Sequence, residues 1–500
     1  MTRPAIYDFI VATDNVSADS ALAEDLAQVE PEFARLVVEA MLARNPTGAE
    51  ALVGQFHRFD PELRESLAKR IEPLRQILAA ASRSPDVQTR INVTAMINQA
   101  KATWMANLLL VGLTDQASQV RAAAASTLRD LADNYLCQLA SNLERIGLSG
   151  PGEFAADERN AAAAVGLTEH RRCLLSALQE GLTWFGVHGR PEVVEAAMWF
   201  AAPLERLLQA HLLTGGSRYL QTVSQILARQ PGPRLAAFTY LALSWSELRR
   251  TAAAIVSRLP DGPMLRQMLQ LGHMIDRPAV RLGLAEVRRL RWLDQDHQAI
   301  LHLPQALQVP ALKLACATSI EATLKLLILQ DALLLGQPEL QRAAIDGLIE
   351  LDCPESTEVL CKVLAWDEPA LAEPSLVELL RRNPPGLAVL IIQQLTSRSP
   401  RIRQIAARHA AGCGFEYYWQ AFEQLSDELK LAAGQVILEL VPDLPGRLRD
   451  KLASSEPEVL LRAIRMAIVL ELIEPLAAEL SSLTDHRDQR VRTAANDALA

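Results

Sequence analysis

Eight helix-start signals recur at a nearly constant spacing through the second half of the chain. The first apolar residue after each is Val280, Leu312, Leu340, Leu371, Ile402, Leu429, Val459 and Val491. The intervals are 32, 28, 31, 31, 27, 30 and 32 residues. Six of these anchors have proline two residues earlier: Pro278, Pro310, Pro338, Pro369, Pro400 and Pro457. Proline suits the first helical turn, where the N–H it lacks has no partner in any case. A period near thirty is one supersecondary unit that cannot bury its apolar face alone. Stacked copies bury it together. This pattern excludes a sheet protein and predicts an all-α chain of roughly twelve to fifteen helix pairs.

The unit is clearest at Asp115-Gln-Ala-Ser-Gln-Val-Arg-Ala-Ala-Ala-Ala-Ser-Thr-Leu128. Asp115 is positioned to cap a helix. Val120, Ala124 and Leu128 fall on one face. The four alanines leave room for a neighbouring helix to approach closely. The chain ends on the same pattern, from Asp485 through Val491 to Ala500. Pro31, Pro61, Pro85 and Pro191 open earlier helices in the same way.

Half of the chain is apolar but only 5% is aromatic, which suits a core of Leu, Ala, Val and Ile between helices. The turn–Val–Arg–x–x–Ala–x–x–x–Leu lines carry a resemblance to a known family. They are Gln119-Val-Arg121 to Leu128, Ala279-Val-Arg281, Arg401-Ile-Arg403 with Ala406 and Ala407, and Arg490-Val-Arg492 with Ala494 and Ala495. The chain resembles the HEAT repeat family in its compact bacterial form, close to the phycobilisome-lyase-like repeats. The resemblance covers about 270–500 well and 80–135 fairly. It implies an α-solenoid of stacked antiparallel helix pairs in a right-handed superhelix, and binding of protein partners. It also implies that Asp115 with Arg121, and Asp485 with Arg492, serve to pair adjacent repeats.

Four segments are expected. Residues 1–75 form an acidic N-terminal cap with the first helix pairs. In its first thirty-two residues Asp8, Asp14, Asp19, Glu24, Asp25, Glu30 and Glu32 face a single Arg3. This stretch is a solvated capping helix or a loose arm. Residues 76–140 are HEAT-like repeats. Residues 141–192 are an irregular insertion, with Gly147-Leu-Ser-Gly-Pro-Gly152 as a breaker cluster and helical pattern resuming near Thr168. Residues 193–500 are regular repeats. The final repeat has no polar cap behind it, so it either caps itself or packs on another copy or partner.

The N-terminus shows no basic region followed by an apolar run, which speaks against a signal peptide. The most apolar stretch, from Val309 to Gly336, carries Lys313, Glu321, Lys325 and Asp331, which speaks against a membrane span. A cytoplasmic protein is expected. Its six cysteines, without any C-x-x-C pair, read as reduced and mostly buried thiols.

No catalytic or cofactor motif emerges. The nine histidines include no H-E-x-x-H and no His-Glu pair. His297 and His302, near Asp294 and Asp296, match no common metal spacing. Gly412-Cys-Gly414 is a turn, and Gly147-Leu-Ser-Gly150 is followed by Pro151 where a nucleophile elbow needs glycine. Trp184-Phe185 and Met198-Trp-Phe200 are expected in the core. A non-catalytic scaffold or adaptor without cofactor or metal follows.

Two surfaces are candidates for a protein partner. On a helix from Pro278 to Trp292, Arg277, Arg281, Arg288, Arg291 and Trp292 fall within roughly a 100° arc. Neighbouring helices could add Arg249, Arg250, Arg381 and Arg382 to this ridge. The aromatic group Phe415-Glu-Tyr-Tyr-Trp419 supplies Tyr417, Tyr418 and Trp419. One alternative is a nucleic-acid-binding solenoid that uses the arginine ridge, against which the net charge of −9 argues. The other is a HEAT-fold enzyme of the bilin-lyase kind.

Overall fold

The structure is a computed structural model that describes residues 9, 11–13, 15–44, 46–146, 159–229, 231–294, 296–366 and 368–500. Among the described residues, helix follows helix from Val16 to Leu499 and there is no strand. Each helix packs mainly on its neighbours in sequence and on the next but one. The all-α solenoid is thus the observed fold. The chain forms two compact units: Met1–Asp296 with Lys313–Ile320, and His297–Leu312 with Glu321–Ala500. The division falls inside 193–500, which the repeat pattern presents as one block.

Proline opens the helices Pro31–Ala43, Pro61–Ala68, Pro191–Trp199, Pro278–Leu284, Pro338–Glu350, Pro369–Arg382, Pro400–Ala410 and Pro457–Val469. Pro310 departs from the rule. It lies inside helix Gln305–Ala317, whose start precedes it by five residues. Pro85 stands just outside its helix, and Asp86 caps Val87–Gln99 by accepting from the Thr89 N–H.

The repeat line around Val120 opens a helix longer than its pattern, Ser118–Arg145. Val120, Ala124 and Leu128 are all buried, as their spacing requires. Residues 141–145, expected to begin an insertion, are the last turn of this helix. The breaker cluster at 147–152 lies outside the described residues. Helix resumes at Thr168–Thr183.

Asp115 does not cap. The N-cap position is Ala117, and Asp115 accepts the Ala117 N–H at 2.7 Å while pairing with Arg90 of the preceding repeat at 2.6 Å. Apart from this Arg90–Asp115 pair, the arginines in the first helical turns clasp their own turns rather than an aspartate. Arg90, Arg121, Arg403 and Arg492 each stand four residues beyond an N-cap. Each Nη1 donates to the two carbonyls six and five residues earlier. These are Ser84 and Pro85, Asp115 and Gln116, Ser397 and Arg398, and His486 and Arg487, at 2.6–3.2 Å. A charged donor thereby satisfies turn carbonyls and folds the incoming turn onto its own helix. Arg492 therefore serves its own turn and not Asp485.

All six cysteines are free thiols. Cys137 is exposed and the others are half-buried, so the expectation of mostly buried thiols does not hold. Trp184 is also more exposed than its core assignment implied, whereas Phe185, Met198 and Phe200 are buried.

Helix Pro278–Leu284 lies directly on helix Ala236–Ser244 because Gly283 has no side chain. A Cβ there would stand 2.3 Å from the Leu243 carbonyl oxygen. Gly283→Ala is expected to push the two backbones apart and cost about 1–3 kcal/mol. Hydrogen exchange in Ala236–Ser244 should speed up accordingly; unchanged protection would refute the close approach.

A candidate partner-binding groove

The arginine ridge does not form as one helix. Helix Pro278–Leu284 stops after seven residues, and Arg291–Leu293 is a separate 3-10 turn. Between them Val287 and Leu290 turn inward and are buried. The Val287 carbonyl accepts the Ser319 N–H at 2.8 Å, a bond made outside any helix. Burial of Val287, Leu290, Trp292 and Leu293 thus overrides the helical period. Arg277, Arg281, Arg288 and Arg291 remain exposed, but Trp292 is only 8% exposed and cannot serve as a surface residue.

Arg381 and Arg382 do not extend a ridge either. Both bind Glu378, at 2.6 and 2.7 Å, and the Arg382 side chain is buried. Arg249 is also taken: its Nε donates to the Leu243 carbonyl at 3.2 Å, and Glu286 lies 3.9 Å away.

What the first unit does build is a groove of about 890 Å3. Its walls come from the end of helix Gly216–Ala228, helix Arg249–Arg258 and the start of helix Pro263–Gln270. Arg250, Ala254 and Arg258 lie at i, i+4 and i+8 and share one helical face that looks into it. Thr251 and Ile255 form the adjoining row. The opposite face, with Ala252, Ala253 and Val256, is buried in the core. Leu227, Leu259 and Met264 line the floor. Pro231, Pro233, Pro260 and Pro263 stiffen the rim, because each has a fixed φ. Of the expected ridge, Arg291 and the added Arg250 reach this groove.

The groove is apolar with a positive edge. None of its lining residues is acidic. Among the described residues, no ion pair joins Arg250, Arg258 or Arg291 to a carboxylate. Three uncompensated guanidiniums over aliphatic surface favour a ligand that brings negative charge and apolar bulk together. Arg258 escaped the sequence reading. Its signal was the eight-residue, two-turn spacing from Arg250 between two proline-rich turns.

The aromatic group is mostly core. Helix Gly414–Ala421 buries Phe415, Tyr418 and Trp419. The Tyr418 hydroxyl donates to the Lys430 carbonyl at 2.6 Å, and burial raises its pKa well above the ordinary tyrosine value. Trp419 sits between Lys451 and Arg462, 5.1 and 5.2 Å from its ring centre. Tyr417 is half-buried and stacks on His409, with its hydroxyl 3.3 Å from Nε2. None of the three offers a free aromatic face of the kind expected.

A smaller cavity of about 350 Å3 lies against Cys137, Trp199, Phe200 and Arg234. Arg234 is already engaged there, with Asp133 at 2.8 Å and over the Trp199 ring at 5.5 Å. His297 lies 3.2 Å from Asp331, and Asp294 holds Arg289 at 2.6 Å. Among the described residues, no three His, Cys, Asp or Glu side chains come together as a metal site. No described helix is long and apolar enough to cross a membrane.

No protein-family model matches the chain. No curated protein matches it either. Among solved structures it is similar to Kap121p, at 12% identity over 99% of this chain and 56% of that one, with a TM-score of 0.27. A mutant of Kap121p matches at the same identity and score over 52% of its length. The chain thus spans about half the length of these two. An engineered protein matches over 100% of this chain and 98% of its own, at 15% identity and a TM-score of 0.17.

Proposed function

We propose that the chain is a non-catalytic, HEAT-like helical-repeat scaffold of the cytoplasm that binds protein partners on its helical surface. Support for the HEAT-like reading is the repeated arginine that clasps its own turn at Arg90, Arg121, Arg403 and Arg492. The observation that carries the binding function is the apolar groove edged by Arg250, Arg258 and Arg291. A charge left unpaired beside apolar surface gains nothing for the fold, and is well placed to meet an oppositely charged partner.

A tagged full-length chain, recovered from its native cell at moderate salt with nuclease present, is expected to retain a protein in stoichiometric amount. The combined Arg250→Glu, Arg258→Glu and Arg291→Glu variant is expected to lose it. Recovery of nucleic acid alone, with binding that falls steeply with salt, would overturn the reading.

A further inference from the structure

The occupant of this groove is defined by its chemistry. We propose that it takes a short acidic segment of a protein partner, with an apolar side chain seated between flanking carboxylates. This rests on the protein-binding reading above and specifies the class of partner.

The first argument is charge. Arg250 and Arg258 stand two helical turns apart on one face, and Arg291 comes from a separate turn. All three are exposed and none is paired with a carboxylate among the described residues. Guanidinium groups donate two parallel hydrogen bonds to a planar carboxylate, so each is a ready donor site for Asp or Glu. No acidic lining residue competes with them.

The second argument is surface. Between the arginines lie Ile255, Leu259 and Met264, a floor that gains from an apolar side chain and nothing from a bare anion. Ala228, Gly232 and Pro233 on one wall and Pro260 and Pro263 on the other are exposed, so the groove is open along its length. A chain can enter at one end and leave at the other. At about 890 Å3 the groove holds a few side chains and not a folded domain. The rigid prolines lower the ordering cost of binding.

The third argument separates a peptide from a single-stranded nucleic acid. Bases bind by stacking on aromatic side chains, and the groove has no aromatic lining residue. Trp292, next in sequence to Arg291, is turned into the core.

Random-peptide display against the full-length chain tests the proposal. The enriched pool is expected to carry Asp or Glu on both sides of Leu, Ile or Phe. A synthetic peptide from that pool should lose roughly tenfold in affinity for each of Arg250→Glu, Arg258→Glu and Arg291→Glu. Ala254→Trp, which fills the groove without changing charge, should abolish binding as well. These positions are exposed, and an unchanged circular dichroism spectrum will show that the variants fold. A neutral or basic pool that is still lost with these variants would overturn the acidic class while leaving a peptide-binding groove in place. A pool indifferent to all four variants, or no enrichment at all, would overturn the groove as a partner site and this proposal with it.

Discussion

Arg382→Met is expected to destabilise the second unit by about 3–5 kcal/mol, because it strips the donors from one of the most heavily bonded side chains in the chain. The Arg382 side chain is 5% exposed and that of its partner Glu378 7%. Its Nε donates to Glu378 at 2.7 Å. Nη1 donates to Ser356 Oγ at 2.7 Å and Thr357 Oγ1 at 3.0 Å. Nη2 donates to the Leu348 and Ile349 carbonyls at 2.8 and 3.0 Å. Those carbonyls end helix Pro338–Glu350 and have no partner within that helix. One guanidinium thus closes one helix, steadies the start of Pro354–Val363 and holds both to Pro369–Arg382. Arg382→Lys keeps the charge but not the fork, and should recover only part of the loss. Hydrogen exchange across Pro338–Glu350 and Pro354–Val363 reads the effect. Unchanged protection in the Met variant would sink the idea.

The same network gives an acid-sensitive arm of stability. Hydrogen bonds from Arg381 and then Arg382 hold Glu378 at about 2, against burial, which pushes the other way. Its folded value therefore lies below its unfolded one. The stabilisation is complete above about 4.5 and is lost as the pH falls from there through about 2. The difference corresponds to about 3 kcal/mol. Glu378→Gln should be less stable at neutral pH and should flatten the loss between pH 4.5 and 2, measured by denaturant unfolding at each pH. A wild-type acid profile retained in the variant would place the titration elsewhere.

The fold was legible because helix starts are local. Proline at the first turn, an apolar anchor two residues on and the period near thirty all follow from chemistry within one repeat. The exceptions are also physical. Pro310 and Pro374 lie inside helices, so proline alone does not mark a start. The helix from Pro278 was expected to run to Trp292, and Arg250 to Arg258 drew less notice. A helical wheel assumes that the helix continues, and the burial of Val287 and Leu290 ended it. That burial is a tertiary effect with no trace in the local pattern. The groove was hidden for a related reason. Its arginines come from two separate elements, and its apolar floor from residues as far apart as Leu227 and Met264. Composition marks Trp419 and Tyr418 as distinctive without saying which way they point. They are drawn inward by their i, i+4 partners Phe415 and Phe422, with ring centres 6.1 and 5.6 Å apart.

Asp19→Ala is expected to loosen the start of the solenoid by about 3 kcal/mol. The acidic N-terminal stretch was read as a solvated cap or a loose arm; Asp8 and Asp14 lie outside the described residues. Asp19 is neither solvated nor loose. It is fully buried in helix Val16–Asp25. Arg44 Nε lies 2.8 Å from one carboxylate oxygen, and the Thr47 hydroxyl donates to the other at 2.8 Å. Arg44 ends helix Pro31–Ala43 and Thr47 begins Thr47–Gln55, so a single carboxylate ties three helices together. Alanine removes that acceptor and leaves without it the charge of an arginine whose side chain is 4% exposed. Arg44 keeps a bond to the Asn15 carbonyl at 3.3 Å, which holds the cost to the lower end of the range for a broken buried pair. Replacing both partners together, as Asp19→Leu with Arg44→Met, should recover most of it, since no charge is then buried alone. The readout is hydrogen exchange along the chain. In a solenoid each helix leans only on near neighbours, so protection should fall at Val16–Asp25 and Thr47–Gln55 and fade beyond Val87–Gln99. Loss of protection as far as Ala477–Leu483 would show a cooperative globule and not a stack of semi-independent repeats.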